Sequence, residues 1–503
     1  MGRLLLGVDV GTSSAKGVLT EPDGTVVARA TVQHQMDVPR PGWAEQDADA
    51  VWWSSLVGVL DGLFQGTDRT ADEVAGVGIS AIGPCMVPLD RGGRALRPGI
   101  LYGIDTRATR EIADLERELG VESIRASSRM DLSSQAVGPK ILWYRRNEPE
   151  LWERTRAITT ASSYLVRRLT GRLVIDHHQA AHYLPLYDPD ARSWSDAYAD
   201  LVAPAALLPE LAWCDEVAGE VTHDAAAQTG LRAGTPVVVG GVDALLEALS
   251  VGVRRPGELM IMYGSTAFFI LVTEQGDRRP PLWSLPGALE GTSVLAGGMA
   301  TTGAATRWFV DLLEAGMDAY GPLFEAAGRL APGADGLLVL PYLSGERTPI
   351  DDPSARGVIA GLSLAHGREH LFRALLEGVA FGVRQNLALM EAPTSPIDRC
   401  VAVGGGTASD TWAQIVSDVT GRAQQIPVST VGAALGDAFV AGLGIGAVAL
   451  DDIDRWNPTA RTIEPDPATR EAYDTHFALF EQLYEQTRPT VHSLVASAEA
   501  GTR

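Results

Sequence analysis

Short apolar runs separated by turn residues open this chain and predict an antiparallel meander. Leu4 to Val10 is apolar except for Asp9, the turn Gly11 to Ser14 follows, and Gly17 to Leu19 is apolar again. After a further turn, Thr25 to Thr31 predicts a third strand. The chain is therefore expected to begin with three neighbouring strands and a polar turn between the first two.

The same layout returns near the middle of the chain. Glu258 to Tyr263 is apolar, the turn Gly264-Ser265-Thr266 follows, and Ala267 to Val272 is apolar again. This recurrence of an apolar run, a glycine-hydroxyl turn and a second apolar run indicates two halves that each open with one hairpin.

Segments with helical and strand periodicity alternate around these hairpins, which is typical of an α/β fold. Helices are predicted at residues 47–63, 106–119, 139–146, 243–251 and 369–390, and strands at residues 74–79, 235–240, 337–340 and 399–403. The apolar alternation fades after about residue 450, and a last helix is predicted to end near Val495.

The length of 503 residues exceeds what one ordinary hydrophobic core serves, so two domains with a cleft between them are expected. We predict an N-terminal domain at residues 1–245, a C-terminal domain at residues 246–490 and a tail at residues 491–503. No low-complexity linker separates the halves, and a short hinge is expected.

Composition narrows the partners and the location. The net charge of −22 disfavours nucleic acid and anionic membranes as partners, because both need a basic face. The three cysteines are scattered and form no Cys-x-x-Cys, which fits a reducing compartment. Asp9 interrupts the first apolar run, and no apolar stretch reaches the about 20 residues of a membrane span. A cytoplasmic protein without nucleic-acid or membrane partners is predicted.

The first turn is a candidate phosphate site. Gly11 allows close approach of the backbone to an oxyanion, and Thr12, Ser13 and Ser14 offer hydroxyl and amide donors. Lys16 adds a positive charge, and Asp9 could hold a hydrated Mg²⁺ that bridges phosphates. No Gly-x-x-x-x-Gly-Lys-Ser/Thr loop occurs anywhere. Taken alone, the segment fits a polar hairpin turn equally well.

A second candidate is Asp243, which follows Gly240-Gly241-Val242 at a predicted strand-to-helix turn. A carboxylate at such a turn projects into a cleft and can accept the proton of an attacking hydroxyl in phosphoryl transfer. An ordinary helix N-cap is the alternative interpretation of the isolated string.

A third candidate is the run Gly404, Gly405 and Gly406 with Ser409 after it. Three glycines after a strand let a flat adenine lie against the main chain. A flexible turn before a helix N-cap at Ser409 explains the same residues.

The order of these motifs resembles that of the FGGY carbohydrate kinase family. Asp-x-Gly-Thr-x-x-x-Lys is followed by Gly-Gly-x-Asp-Ala, Gly-Ser-Thr and Gly-Gly-Gly-x-x-Ser-x-x-Trp. Further matching strings are Pro41 to Asp47, Tyr342 to Pro349 and Glu377 to Phe381. The resemblance extends from the first strand to about Gly446, and the combination of motifs is specific although each motif alone is not.

The resemblance implies two actin-like (ribonuclease-H-like) ATPase domains, with ATP, Mg²⁺ and a sugar meeting in the central cleft. It assigns the catalytic base to Asp243 and the metal-linked carboxylate to Asp9. The residues implied to bind ATP and its phosphates are Gly11, Thr12, Ser13, Ser14, Lys16, Gly264, Ser265, Thr266, Gly404, Gly405, Gly406 and Ser409.

The sugar pocket departs from the family pattern. Xylulose kinases typically carry Ser-Gly-Gln-Met-His-Gly where this chain has Ser80 to Cys85, so Pro84 stands at the position of their histidine. A proline offers no side-chain hydrogen bond. The candidate substrate-binding residues are Trp43, Ile82, Gly83, Pro84, Asp105, Arg107 and Asp243. A core tryptophan and an ion pair at a helix start are the alternatives for Trp43 and for Asp105 with Arg107.

Asp176, His177, His178 and His182 form a separate polar cluster. Two imidazoles four residues apart would share one face of a helix and could bind a metal. No third ligand is evident, and the role of this cluster is left open.

The sequence therefore predicts an ATP-dependent kinase that phosphorylates a hydroxyl of a small sugar, with a pentulose such as D-xylulose first among candidates. Ribulose, a polyol or a gluconate-like acid are the alternative substrates. Other classes that keep the fold are a sugar-independent ATPase and a catalytically silent sugar sensor. A homodimer is the default oligomer.

Overall fold

The computed structural model describes residues 4–274, 276–393, 395–429 and 431–501. Within these ranges the chain forms two seven-stranded mixed sheets, one in each half, with helices packed around them. No helix in the described part of the chain combines the length and the apolar character needed to cross a membrane.

The N-terminal sheet grows from the predicted opening meander. Its strands are β1 (Leu4–Val10), β2 (Ser14–Thr20), β3 (Val26–Gln33), β4 (Val74–Ala81), β5 (Val217–Glu220), β6 (Pro236–Val238) and β7 (Gly241–Val242). The strand order is β5-β6-β4-β1-β2-β3, and β7 pairs with the end of β4. β1 is antiparallel to β2 and parallel to β4.

The C-terminal sheet has the same plan. Its strands are β8 (Glu258–Tyr263), β9 (Ala267–Thr273), β10 (Trp283–Pro286), β11 (Ser293–Met299), β12 (Arg399–Val403), β13 (Gln424–Pro427) and β14 (Thr459–Ile463). The order is β10-β11-β9-β8-β12-β13-β14. β8 is antiparallel to β9 and parallel to β12, as β1 is to β2 and β4. The prediction that both halves open with the same hairpin is confirmed.

Helices connect and cover the sheets. In the N-terminal half they are α1 (Ser54–Gln65), α2 (Thr109–Leu119), α3 (Val121–Ser128), α4 (Val137–Asn147), α5 (Pro149–Arg154), α6 (Ala161–Thr170), α7 (His177–Ala181), α8 (His223–Thr229) and α9 (Asp243–Ser250). In the C-terminal half they are α10 (Gly303–Leu312), α11 (Tyr320–Gly328), α12 (Arg368–Met390), α13 (Asp410–Thr420), α14 (Ala433–Gly444), α15 (Ile453–Trp456) and α16 (Arg470–Gly501).

Short strand pairs outside the two large sheets fix the loops. They comprise Glu45–Gln46, Val87–Leu89, Gly99–Ile100, Ala157–Thr159, Val174–Asp176, Tyr187–Asp188, Ser193–Trp194, Glu210–Ala212, Leu338–Leu340 and Val358–Ala360. The helix predicted at residues 47–63 begins as a π-helix over Ala48–Trp53 before α1. Asp47 caps it by accepting hydrogen bonds from Asp49 N and Ala50 N.

Helix α14 belongs to the C-terminal half by sequence but packs directly on the N-terminal sheet. Glycines make this approach possible: a Cβ atom on Gly7 of β1 would lie 1.9 Å from the Ala434 oxygen, and one on Gly78 of β4 would lie 2.0 Å from the Asp437 oxygen. Gly436 allows a similar approach of α14 to α9, where its Cβ would lie 2.0 Å from the oxygen of Leu246. Strands β1 and β4 therefore need glycine here because helix backbone occupies the space of a side chain.

Both predicted domain boundaries, at residues 245/246 and 490/491, fall inside helices. The predicted division between residues 245 and 246 falls inside α9, whose eight residues run from Asp243 to Ser250. The residues predicted as a tail, 491–503, are helical as far as Gly501, because α16 continues past Pro489.

Candidate active site

The first turn, between β1 and β2, is closed by its own backbone and braced from outside. Gly11 N donates to Ser14 O at 3.0 Å. His34 Nε2 lies 2.9 Å from the oxygen of Gly11, and Gln46 Nε2 donates to the oxygen of Thr12 at 2.9 Å. Two carbonyl oxygens of the turn are thus held by side chains from later segments: His34, which no motif includes, and Gln46, which lies in the matching string Pro41 to Asp47.

The second turn, between β8 and β9, repeats this closure. Gly264 N donates to Thr266 O at 2.9 Å. The start of α10 then packs on the turn, where Gly303 N and Ala304 N donate to the oxygens of Gly264 and Ser265, both at 3.0 Å. Because carbonyl oxygens of the turn accept from these amides, the start of α10 supports the turn and does not offer them to an anion. The helix start at Gly303 was missed from sequence because nothing in the local string ties it to a turn some 40 residues earlier.

Asp243 is the first residue of α9 and lies in a cluster of partly buried acids. Its Oδ1 accepts a hydrogen bond from Ala244 N at 2.7 Å. Burial raises the pKa of Asp243 to about 6, against the nearby charge of Lys16. Glu247, one helical turn later, has its pKa raised to about 7 by burial and by Asp243. Glu247 was not predicted, although its spacing of four residues from Asp243 is the signal that could have found it.

Asp9, at the end of β1, belongs to the same cluster. Burial, and after it the charge of Asp243, raises the pKa of Asp9 to about 8. Ser80 Oγ lies 3.3 Å from Asp9 Oδ1 and 2.7 Å from Asp437 Oδ2, so one hydroxyl connects both carboxyl groups. Burial also raises the pKa of Asp437 well above its ordinary value.

The acid cluster suits a divalent cation held mainly by the phosphates of a nucleotide. Mg²⁺ in such sites usually takes one or two carboxylates and completes its shell with waters and phosphate oxygens. Asp9 offers a partly buried carboxyl group that accepts a hydrogen bond from the Ser80 hydroxyl. Among the described residues, no group of three or more His, Cys, Asp or Glu side chains is placed to hold a metal alone. The residues present fit a phosphate-bound Mg²⁺ at Asp9 rather than an all-protein metal site.

A large cavity of about 710 Å³ lies between the second turn, the starts of α10 and α13, and α11. One wall carries aromatic rings: Tyr320 and Phe324 stack at 6.2 Å, and Phe324 stacks on Trp412 at 6.3 Å. The facing residues include Gly264, Ser265, Gly405, Gly406 and Ser409. A Cβ atom on Gly405 would meet no atom within 4 Å, so the backbone there borders open space.

A smaller cavity of about 180 Å³ lies between the two halves. Its lining comprises Ile82, Gly83, Pro84, Tyr102, Gln135, His178, Gln179, His182, Val242, Asp243, Ala244, Met262, Thr266, Phe268, Trp283, Leu285 and Arg347. The second turn separates the two cavities, since Gly264 and Ser265 line the larger and Thr266 lines the smaller. The first turn contacts one lining residue of the smaller cavity, since Thr12 Oγ1 lies 3.5 Å from the Tyr102 hydroxyl.

Trp43, Asp105 and Arg107 pack together away from that lining. The Arg107 guanidinium lies 4.0 Å above the Trp43 ring and binds Asp105 at 2.6 Å. Asp105 also accepts from Ala44 N at 2.7 Å, and Arg107 binds Glu45 at 2.7 Å. The local geometry is the ion pair beside a core tryptophan that the sequence allowed as the alternative. Their contact with substrate stays a prediction.

Lys140 lies behind the lining of the smaller cavity and binds the backbone of two of its loops. Its ammonium is almost fully buried and donates to three carbonyl oxygens: Ser134 at 2.6 Å, Leu101 at 2.8 Å and Tyr102 at 3.0 Å. Burial lowers the pKa of Lys140 to about 8. Because Tyr102 and Gln135 line the cavity, Lys140 ties together the two loops that carry them.

The polar cluster around α7 is split by the structure. Asp176 caps α7 by accepting from Gln179 N, and His177 turns to Tyr187, whose hydroxyl lies 2.8 Å from its Nδ1. His178 and His182 instead line the smaller cavity. The described residues place no third metal ligand with them.

Comparison with known proteins agrees with this geometry. The model for the N-terminal domain of the FGGY family of carbohydrate kinases matches residues 4–250, and the model for the C-terminal domain matches residues 259–445. The chain belongs to the FGGY family of carbohydrate kinases. The family predicted from the order of the motifs is thereby confirmed.

Relatives in this family cover nearly the whole chain. A xylulose kinase from Escherichia coli K12 is 31% identical over 495 residues, 97% of this chain and 99% of that protein. A glycerol kinase from Nocardia farcinica is 30% identical over 511 residues, 97% of this chain and 99% of that protein. The crystal structure of a xylulose kinase from Rhodospirillum rubrum has a TM-score of 0.89 and 34% identity, covering 97% of this chain and 100% of that one.

These comparisons confirm the predicted fold and activity class. The two mixed sheets are the paired actin-like domains of FGGY kinases. The protein is a carbohydrate kinase that uses ATP as the phosphate donor and a small sugar or polyol as the acceptor.

Proposed function

We propose that this kinase phosphorylates a neutral pentulose, with D-xylulose first, and that Asp243 is the catalytic base. The supporting observation is the second turn, which separates the two cavities. Ser265 faces the larger cavity, and Thr266 faces the smaller one, which also contains Asp243. A γ-phosphoryl group held at this turn would lie between a nucleotide and a small acceptor.

The sizes of the cavities support the assignment of the two substrates. The cavity of about 710 Å³ has an aromatic wall facing glycines and suits a nucleotide, whereas the one of about 180 Å³ suits a small polyhydroxylated molecule. Relatives over nearly the full length include kinases of xylulose and of glycerol, so a ketose leads and a polyol such as glycerol is the alternative.

The mechanism follows from the groups around Asp243. Its carboxylate accepts the proton of the acceptor hydroxyl as the oxygen attacks the γ-phosphorus in line, while the bond from the γ-phosphorus to the β–γ bridging oxygen breaks and ADP leaves. Lys16 balances the buried negative charge, and the amides of both turns hold the phosphate oxygens. Mg²⁺ bound to the phosphates at Asp9 would neutralise developing charge. Closing the cleft would exclude water that competes as a nucleophile.

Asp243→Asn tests the proposed base. The variant keeps the size and the hydrogen bond from Ala244 N but cannot accept a proton, so kcat should fall by about 100-fold or more, as expected for the loss of a general base. ADP release is measured with ATP and Mg²⁺ across xylulose, ribulose, glycerol, xylitol and gluconate. Asp224→Asn, at the exposed start of α8, is the matched control and should leave kcat unchanged. Turnover of Asp243→Asn within tenfold of the unaltered enzyme would disprove the assignment.

The expectations of a cytoplasmic location, a homodimer and the lack of nucleic-acid partners remain part of this proposal. Size-exclusion chromatography with light scattering distinguishes a dimer from the 53.3 kDa monomer.

A further inference from the structure

One wall of the smaller cavity is built from α7 and the edge strand β10. His178 Nδ1 lies 2.8 Å from the oxygen of Pro286. A carbonyl oxygen can only accept, so Nδ1 carries the proton in this contact and donates it. Burial lowers the pKa of His178 to about 4, so the ring is neutral at pH 7 and its Nε2 is an unprotonated acceptor.

His182 stands next to it on the same wall. The two rings lie edge to face at 5.8 Å, and His182 lies 6.3 Å from the Trp283 ring. Burial lowers the pKa of His182 to about 3, so this imidazole is also neutral and has one donor and one acceptor nitrogen. Among the described residues, neither ring nitrogen of His182 and no second nitrogen of His178 has a hydrogen-bond partner.

The other polar group of α7 is already occupied. Gln179 donates to Asp176 at 2.6 Å and to Ser162 at 2.8 Å, and its Oε1 accepts from Thr160 at 3.1 Å. These three bonds hold α7 rigidly, and they leave Gln179 little capacity for a ligand. Pro84, on the facing loop, has no polar side chain and no backbone N–H to donate. The two histidines are therefore the free polar groups of this wall.

We propose that His178 and His182 determine acceptor specificity by hydrogen bonding to hydroxyl groups that do not receive phosphate, on a neutral ketose or polyol. The inference rests on the proposed function. A hydroxyl both donates and accepts, so it satisfies the bare Nε2 of His178 and the mixed character of His182. A carboxylate can only accept and would face the lone pair of His178. Arg347, elsewhere in the cavity, is the group that would favour an acid.

The test compares the best acceptor with its single deoxy analogues in the unaltered enzyme, in His178→Asn and in His182→Phe. Asparagine at 178 retains a donor for the Pro286 oxygen and removes the Nε2 acceptor, and phenylalanine at 182 retains the ring beside Trp283. In the unaltered enzyme at least one deoxy analogue should lose about tenfold in kcat/KM. In the variant that lacks the histidine bound to this hydroxyl, kcat/KM for the parent sugar should also fall about tenfold. Removing the same hydroxyl should then change kcat/KM of that variant by less than about twofold.

His177→Asn is the matched control, because His177 lies on the same helix but binds Tyr187 outside the cavity. It should leave the deoxy pattern and the KM for ATP unchanged. The inference is overturned if no deoxy analogue loses more than about threefold in the unaltered enzyme, a measurement that needs no variant. The inference is also overturned if the variants lose the same factor in kcat/KM on the parent sugar and on every deoxy analogue, or if gluconate is the best acceptor. An unaltered enzyme that phosphorylates no acceptor would instead overturn the proposed function itself.

Discussion

Ser80, at the end of β4, donates a hydrogen bond of 2.7 Å to the carboxyl group of Asp437 on α14. The side chain of Asp437 is fully buried, and its Oδ1 has no partner among the described residues. This pair joins a helix of the C-terminal half to the strand beside Asp9. Burial, and after it the negative charge of Asp9, raises the pKa of Asp437 well above its ordinary value, so the site favours a neutral side chain.

Asp437→Asn should therefore be tolerated, and its benefit should grow with pH. The folded protein retains a proton on Asp437 that the unfolded chain releases above about pH 4. The free energy of unfolding of the unaltered protein therefore falls as the pH rises from about 4 through the raised pKa of Asp437. Asparagine lacks this dependence. Urea unfolding should show that the free energy of unfolding of the variant, relative to that of the unaltered protein, is higher at pH 8 than at pH 5. A relative loss at pH 8 contradicts the assignment.

Ser80→Ala provides the counterpart. It leaves the Asp437 carboxyl group buried without a partner, which costs about 1–3 kcal/mol of the free energy of unfolding. In the double variant with Asp437→Asn the two effects should not add, since both residues share one contact.

Gly78→Ala should destabilise the protein by about 2 kcal/mol or more. The added methyl carbon would lie 2.0 Å from the Asp437 oxygen, and helix backbone cannot yield without lifting α14 off the sheet. Gly316→Ala is the control, since a Cβ atom there meets nothing within 4 Å and the change should stay within about 0.5 kcal/mol. Equal thermal midpoints for the two variants would show that α14 does not pack as described.

The value of kcat/KM for the sugar should fall as pH drops below about 6. Burial raises the pKa of Asp243 to about 6, and only the ionised form can accept a proton, so the active fraction is complete above this pH and is lost below it. Initial rates from pH 5 to pH 8 measure the limb, with unfolding followed in parallel to exclude acid denaturation. A flat profile across this range means that Asp243 is not the base.

Lys140→Met should weaken both the fold and the sugar site. Removing the ammonium leaves three carbonyl oxygens without their shared donor, which costs about 2–4 kcal/mol. The loops that carry Tyr102 and Gln135 are then no longer joined through Lys140. The KM for the sugar should therefore rise several-fold while the KM for ATP stays constant. Arg145→Met, a change of a partly exposed residue on the same helix, is the control, and it removes one carbonyl contact and a cation–π contact with Trp152. An unchanged ratio of the two KM values would limit Lys140 to stability.

The hairpins, the glycine-rich turns and six helices (α1, α2, α4, α9, α12 and α16) could be predicted because their signals are local. β8 and β12 have the predicted bounds, and Asp9 and Asp243 end up in one cluster. The π-helical start at Ala48 could not be predicted, because helical periodicity does not distinguish i+4 from i+5 hydrogen bonding over a single turn.

The rest of the site depends on contacts between distant parts of the chain. His34 and Gln46 reach the first turn from later segments, Tyr320 and Phe324 come from a helix without a motif, and Arg347 enters the sugar cavity from the C-terminal half. No sequence feature at Asp105 and Arg107 distinguishes a structural ion pair from a substrate ligand, because both use the same residue types.

The packing of α14 on the N-terminal sheet determines whether the polypeptide can be divided into two stable fragments. A fragment that stops between the halves, near residue 255, would carry β1 and β4 but expose to water the face on which Gly7 and Gly78 receive the helix. Such a fragment lacks side chains to cover its own sheet there, because glycine contributes none. The two halves should therefore become stable only when produced together, with the second complementing the first in trans, although each contains a complete sheet.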